Sequence, residues 1–240
     1  MDLKVFISDW PMLWQKNTEK TVSAVNKKAG TKRLTLETIP LFPLNSILFP
    51  KGRISLQIFE SRYVDMIRQC MKDGTGFGVV LIEAGSEVAH KGQKLDIHRI
   101  GTYTTVVDWN QLPNGLLGIT VEGQTTFKII ESWREENNLC RAEVVFREQD
   151  SQDSEPVDVG EQFQEYVDLL QGLAMHPAIE ELNLDISFDN LREIAWRLSE
   201  LLPIANREKQ ALLELTDPFD RLEQIEIYIN SINQQENGGL

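Results

Sequence analysis

Only two cysteines, Cys70 and Cys140, and three histidines occur in 240 residues. Two thiols are too few for a disulfide framework or a thiolate metal site, so a reducing cytoplasm is the expected compartment and no cofactor or metal is expected. No apolar run reaches the ~18 residues that span a bilayer. The start lacks the marks of a signal peptide: Asp2 stands where positive charge belongs, and Val5, Phe6 and Ile7 make too short an apolar core. Basic residues are scarce as well. Lys and Arg number 24 against 37 Asp and Glu, a net charge of −13. The deficit lies at the end of the chain, where residues 151–240 carry five basic and nineteen acidic side chains. That balance repels phosphate backbones and opposes nucleic-acid binding, while it keeps the chain soluble. With 41 % apolar and 25 % charged residues, the composition is that of a globular protein, long enough to fold without staples.

Catalytic signatures are missing too. No G-x-x-x-x-G-K-[ST] loop is present to cradle a nucleotide, and no G-x-S-x-G elbow. The glycines of DGTGFG (73–78) precede a strand rather than a helix, so they read as a helix-to-strand turn with no helix N-terminus awaiting a phosphate. Ser86 and His90 have no orienting partner. His90 and His98 are able to face each other across strands, but two histidines without paired cysteines make a poor metal site. Cys70 and Cys140 lie on apolar stripes and read as inert core thiols. Trp109, Trp133 and Trp196 read as anchors of core or rim, since no basic residues interleave with them as single-strand binding requires. The chain is expected not to be an enzyme.

What is present divides the chain. Residues 1–33 hold seven basic and three acidic residues without sustained periodicity and read as a loosely ordered basic extension or a misplaced start. Residues 34–148 are β-rich. Ile54, Leu56 and Ile58 alternate with polar residues. FGVVLIEA (77–84), residues 102–109, LLGITVEG, TTFKIIESW and 140–146 add further strands. Asn114-Gly115 marks a hairpin and Gly123 a bulge. One helix interrupts them, with Tyr63, Met66, Ile67, Cys70 and Met71 as its stripe. Residues 149–160 form an acidic linker too polar to pack. Residues 161–233 carry amphipathic helices, with a capping-box spacing at Asn190 and Glu193 and a strong start at Asp217-Pro218. Residues 234–240 form a frayed tail. Strands followed by helices give an α+β fold, with a mostly antiparallel, closed or half-closed barrel.

The most distinctive stretch is IPLFPLNSILFPKGRISLQIFESRY (39–63). Prolines at 40, 43 and 50 cannot donate ladder hydrogen bonds, so the segment is expected to run as an edge strand, a crossover and an edge again. Together with the residues to Ala89, with Gly101, with the run from Val106 to Ile130 and with LLPIANREKQALLELTDPFDRLEQI, it resembles the N-terminal, substrate-binding domain family of Lon proteases, and in particular its small stand-alone bacterial members. The resemblance covers about 39–230. Ser61 departs from it, standing where the family commonly has proline, and residues 1–33 have no counterpart.

That resemblance implies a PUA-like antiparallel β-barrel with one inserted helix, followed by a helical subdomain. It implies binding of unfolded or degron-bearing proteins, as an adaptor for proteolysis and with a Lon-type protease as a possible partner. Full-length Lon proteases add ATPase and Ser-Lys peptidase modules, whose motifs do not occur in the sequence up to Leu240. Phe42, Phe49, Phe59, Arg62 and Tyr63 are the candidate peptide-binding residues, each with core packing, or for Arg62 pairing with Glu60, as the competing role. RNA binding, known among PUA-like barrels, is the alternative, and the charge opposes it.

Overall fold

A computed structural model describes residues 35–84, 96–147, 155–180 and 184–237. The expectations for residues 1–33, for Ser86 and His90, for residues 149–154 of the acidic linker and for residues 238–240 of the tail lie outside these residues. Apolar residues, alternating in β2, β6 and β7 and continuous in β3, mark the strands among the described residues: β1 (Leu36–Leu44), β2 (Arg53–Ile58), β3 (Phe77–Ala84), β4 (Asp96–Ile97), β5 (Ile100–Gln111), β6 (Leu117–Arg134) and β7 (Cys140–Arg147). Helix α1 (Ser61–Asp73) lies between β2 and β3. It ends at Gly74, whose φ of 65° suits a residue without a side chain and whose N–H caps Cys70 O. Gly76 follows because a Cβ there would lie 2.0 Å from Thr104 O. The glycine run of 73–78 is thus the helix-to-strand turn its context implies.

The strands run in the order β1-β7-β6-β5-β3, and a parallel β1–β3 pairing closes them into a ring. All other pairings are antiparallel. The expectation that the prolines keep β1 at an edge does not hold. β1 changes partner at Leu41: Pro40 lies opposite Arg141 of β7, before the pairing with β3 begins, and Pro43 lies opposite Val80 of β3, after the pairing with β7 has ended. Each proline therefore has a neighbouring strand on one side only, which spares it the ladder bond that it cannot make. β6 is one strand of 18 residues where the sequence reads as two. A register shift beside Gly123 lets its first part pair with β2 and its last part with β7.

Two apolar clusters hold the ring, one on each side of its strands. Phe42, Phe77, Val79, Ile119 and Val121 pack with Tyr63, Met66 and Ile67 of α1. Leu41, Val80, Phe127, Ile129 and Val144 form the other cluster. Alternation along β1 and β3 sends neighbours such as Leu41 and Phe42 to opposite sides.

The helical part comprises α2 (Gln164–Ala174), one helical turn (Pro177–Glu180), α3 (Leu191–Leu201), α4 (Asn206–Glu214) and α5 (Pro218–Asn237). Leu170, Leu191, Ile194, Trp196, Leu198, Leu212 and Ile225 make its core. The expectation of an unpacked linker fails at its end, where Val157 and Val159 pack against this core. Val157 N–H donates to Asn190 Oδ1 at 3.2 Å.

The two parts share more than a linker. Phe49, in the loop after β1, is fully buried within the helical core. Arg197 donates to Pro50 O at 2.7 Å, Gln210 to Ile100 O at 3.1 Å, and Lys51 pairs with Glu193 at 2.7 Å. No helix among the described residues is long and apolar enough to cross a membrane.

Candidate functional site

Four of the five candidate residues are interior. Phe42, Phe49 and Tyr63 are buried, and Arg62 is only 7 % exposed. Phe42 and Tyr63 stack at 4.1 Å, with Arg62 over the Tyr63 ring at 4.4 Å. Arg62 Nη1 donates to Asn138 O at 2.6 Å and Nη2 pairs with Glu60 at 2.9 Å. This fastens the start of α1 to the β6–β7 turn. Burial pushes the Tyr63 phenol up to about 12. Their burial fits the competing, structural role, because the apolar stretch that carries them turns inward on a strand, a loop and a helix in succession. Phe59 differs: it is 62 % exposed. Ile58 pairs with Leu117, so Phe59 stands one step beyond, at the level of Leu116.

Leu116 and Leu117 form part of a groove of about 410 Å³ between α1 and the β5–β6 hairpin. That volume lies within the range of pockets that hold a ligand. The helix contributes Val64, Ile67, Arg68 and Met71 at helical spacing, a stripe turned one residue away from the core stripe Tyr63, Met66, Ile67 and Cys70. β5 contributes Trp109 and Gln111, which strand periodicity places on one side. Trp109 is 60 % exposed and Met71 43 %.

The hairpin is held by its turn. Leu112 N–H donates to Leu116 O at 2.9 Å, Leu116 N–H to Asn114 Oδ1 at 3.1 Å, and Gly115 takes a φ of 81°. Arg68, the one cation among the described residues that line the groove, pairs with Asp65 at 3.2 Å. The groove thus offers apolar contact with a neutralised polar rim, which suits an apolar side chain.

The sequence did not nominate these residues. Met71 reads as core at the end of the α1 stripe, and Trp109 as an anchor. The signal was present in the second stripe, Val64, Ile67 and Met71, and in two leucines directly after a hairpin turn.

Among the described residues, the remaining chemistry-bearing side chains do not converge. Burial pushes both the Cys70 and Cys140 thiols up, away from the reactive thiolate. Trp196 is core. His98 Nδ1 stands 3.9 Å from Glu214 Oε1. Among the described residues no three His, Cys, Asp or Glu side chains are grouped to hold a metal ion.

Comparison with known proteins places this architecture. The chain is 24 % identical over 202 residues to Lon protease 1 of Bacillus subtilis, a match covering 81 % of this chain and 25 % of that protein. It is 24 % identical over 236 residues to the Lon protease of Azorhizobium caulinodans, covering 92 % of this chain and 24 % of that one. It therefore spans about a quarter of the length of these relatives. The structure resembles the Lon N-terminal domain protein from Xanthomonas campestris, with a TM-score of 0.63, 28 % identity and coverage of 80 % of this chain and 98 % of that one. The N-terminal domain of the Lon protease of Mycobacterium avium complex shares the fold, with a TM-score of 0.55, 14 % identity and coverage of 81 % and 98 %. The model of the ATP-dependent protease La (LON) substrate-binding domain matches residues 38–231. On this match across most of its length, the chain belongs to the family of Lon substrate-binding domains.

Proposed function

We propose that the chain is a non-catalytic recognition module of the cytoplasm that holds unfolded or degron-bearing polypeptide, as an adaptor for proteolysis, on a PUA-like barrel formed by the closed ring. The observation that carries this reading is the apolar groove between α1 and the β5–β6 hairpin, open to solvent in a chain of a substrate-binding family. Trp109, Met71 and Leu116 supply contact area, and Phe59 extends it along the hairpin. Phe42, Phe49, Arg62 and Tyr63 act by holding α1 and the loop after β1 in place. Large exposed apolar groups clustered in this way mark interaction sites on soluble proteins.

Binding is expected at roughly micromolar affinity or weaker, because a disordered partner loses conformational entropy on docking. Fluorescence anisotropy with labelled unfolded polypeptides tests it. Trp109→Ala and Met71→Ala lower affinity tenfold or more. Because Trp109 is largely exposed, its replacement shifts stability by only about 0.5 kcal/mol. Folded variants that bind like wild type remove the groove as the site. Failure of wild type to bind any unfolded chain removes the recognition role.

A further inference from the structure

The groove has an open strand as one wall. β5 pairs with β3 only at Thr102, Tyr103 and Thr104. Over residues 105–111 its inner edge pairs with β6, and among the described residues no strand lies on its outer edge. Trp109 shows the direction of that edge. Its N–H donates to Asp108 Oδ1 at 2.9 Å, the carboxylate of the preceding residue. Alternate residues of an antiparallel strand turn their N–H and C=O groups to opposite edges. Gln111, two residues on, therefore shares the outward direction of Trp109. A register shift between Val106 and Asp108 sets this phase beyond Thr104, where the pairing with β3 starts.

Resting on the reading of the groove as a polypeptide site, we propose that the bound segment is an extended, basic and alternately apolar chain that adds a strand to the outer edge of β5. Backbone bonds to Trp109 and Gln111 fix its register, as in other peptide sites built on sheet edges. Every second side chain then faces the groove lined by Val64, Ile67, Met71 and Leu117.

Charge selects the sign of the other side chains. Asp108 is exposed on the edge itself and makes no ion pair among the described residues. Arg68 is already neutralised by Asp65, and the whole chain carries −13. A Lys or Arg of the incoming strand meets Asp108, and an acidic strand is repelled. Until a strand arrives, the Asp108 carboxylate occupies an edge donor, a charge placed where sheets otherwise join edge to edge.

The test uses the full chain and a fluorescein-labelled eight-residue peptide that alternates Val or Leu with Lys. Two further versions carry N-methyl groups on the odd or on the even amides. The expected result is a tenfold or greater loss for one methylated version and a change within twofold for the other. A version with Glu for Lys binds at least tenfold more weakly. On the protein side, Gln111→Pro removes an outward amide, while Gln111→Ala keeps it and serves as the reference for loss of the side chain. The proline variant binds at least tenfold more weakly than the alanine variant. If circular dichroism shows it unfolded, the methylated peptides on wild type decide alone.

Equal binding of both methylated versions overturns strand addition and leaves the groove as a side-chain site. Binding of unfolded proteins but not of the peptide overturns the basic, alternating chemistry. Failure of every unfolded chain and of the peptide overturns the groove itself. A dimer in sedimentation that dissociates with Gln111→Pro shows a second copy of the chain on this edge and overturns the proposal.

Discussion

Glu200 shows how a single side chain sets conditions for the fold. It lies where α3 meets the loop before β2, bonded to Arg197, whose other nitrogen holds Pro50 O. Lys209 Nζ donates to the Glu200 carbonyl at 2.5 Å. Burial pushes the Glu200 carboxyl up from its ordinary 4.5, opposed by Arg197, and burial pushes the Lys209 ammonium down from 10.5. Between 4.5 and the raised folded value, the native state binds more protons at Glu200 than the unfolded state does. Stability from this group therefore falls as pH rises through that window. The Lys209 contribution has the opposite sign, in the alkaline range below 10.5. Urea unfolding of wild type and Glu200→Gln from pH 4.5 upward checks this. Wild type loses stability relative to the variant as pH rises, and parallel curves refute it. At the same scale, composition marked Phe42, Phe49 and Tyr63 as large apolar groups without saying that all three turn inward. Burial is decided by what packs opposite a residue, and a single residue's identity does not contain it.

Elements were legible wherever a local pattern is sufficient. Asn190 and Glu193 have the spacing of a capped helix start, and α3 begins there: Asn190 Oδ1 accepts from Arg192 N–H at 3.1 Å, and its Nδ2 donates to Glu193 at 3.2 Å. The same oxygen accepts from Val157 N–H, a contact across 33 residues that no local pattern announces. Asn190→Ala therefore loses a cap worth about 0.5–2 kcal/mol together with the anchor of the chain entering the helical part. Thermal unfolding followed by circular dichroism measures it, and an unchanged melting temperature counts against this double role. β6 was less legible. A bulge beside Gly123 reads as the end of one strand and the start of another, yet the strand continues because β5 spans both parts. The prolines of β1 misled in the other direction, since the change of partner at Leu41 leaves each of them an empty flank.

For the whole molecule, the ring and the helices share one core at Phe49. This side chain belongs to the loop after β1 but packs with Leu170, Trp196 and Leu198 of the helical part. Thr102 Oγ1 donates to Leu48 O at 2.5 Å and holds that loop to β5. Unfolding of the wild type is expected as one transition, with tryptophan fluorescence and far-ultraviolet dichroism coinciding in urea. Phe49→Ala removes the shared group and costs about 3–5 kcal/mol. It also separates the two signals. Coincident curves for the variant, or separate curves for wild type, contradict the coupling.

Sequence by itself determined the elements that depend on neighbours in the chain: the α1 stripe, the Asn114-Gly115 hairpin, the helix starts at Asn190 and Pro218, and the strands before the helices. The order of spaced motifs over 39–230 was enough to bring the family into view. Tertiary structure alone decided ring closure by the parallel β1–β3 pair, the insertion of Phe49 into the helices, and the location of the groove. Each of these joins residues far apart in the chain, so its energy is absent from any local window. The groove in particular exists because β3 begins only opposite Thr104 while β5 runs on to Gln111. Two strands of unequal length leave an edge and a hollow that neither sequence segment specifies alone.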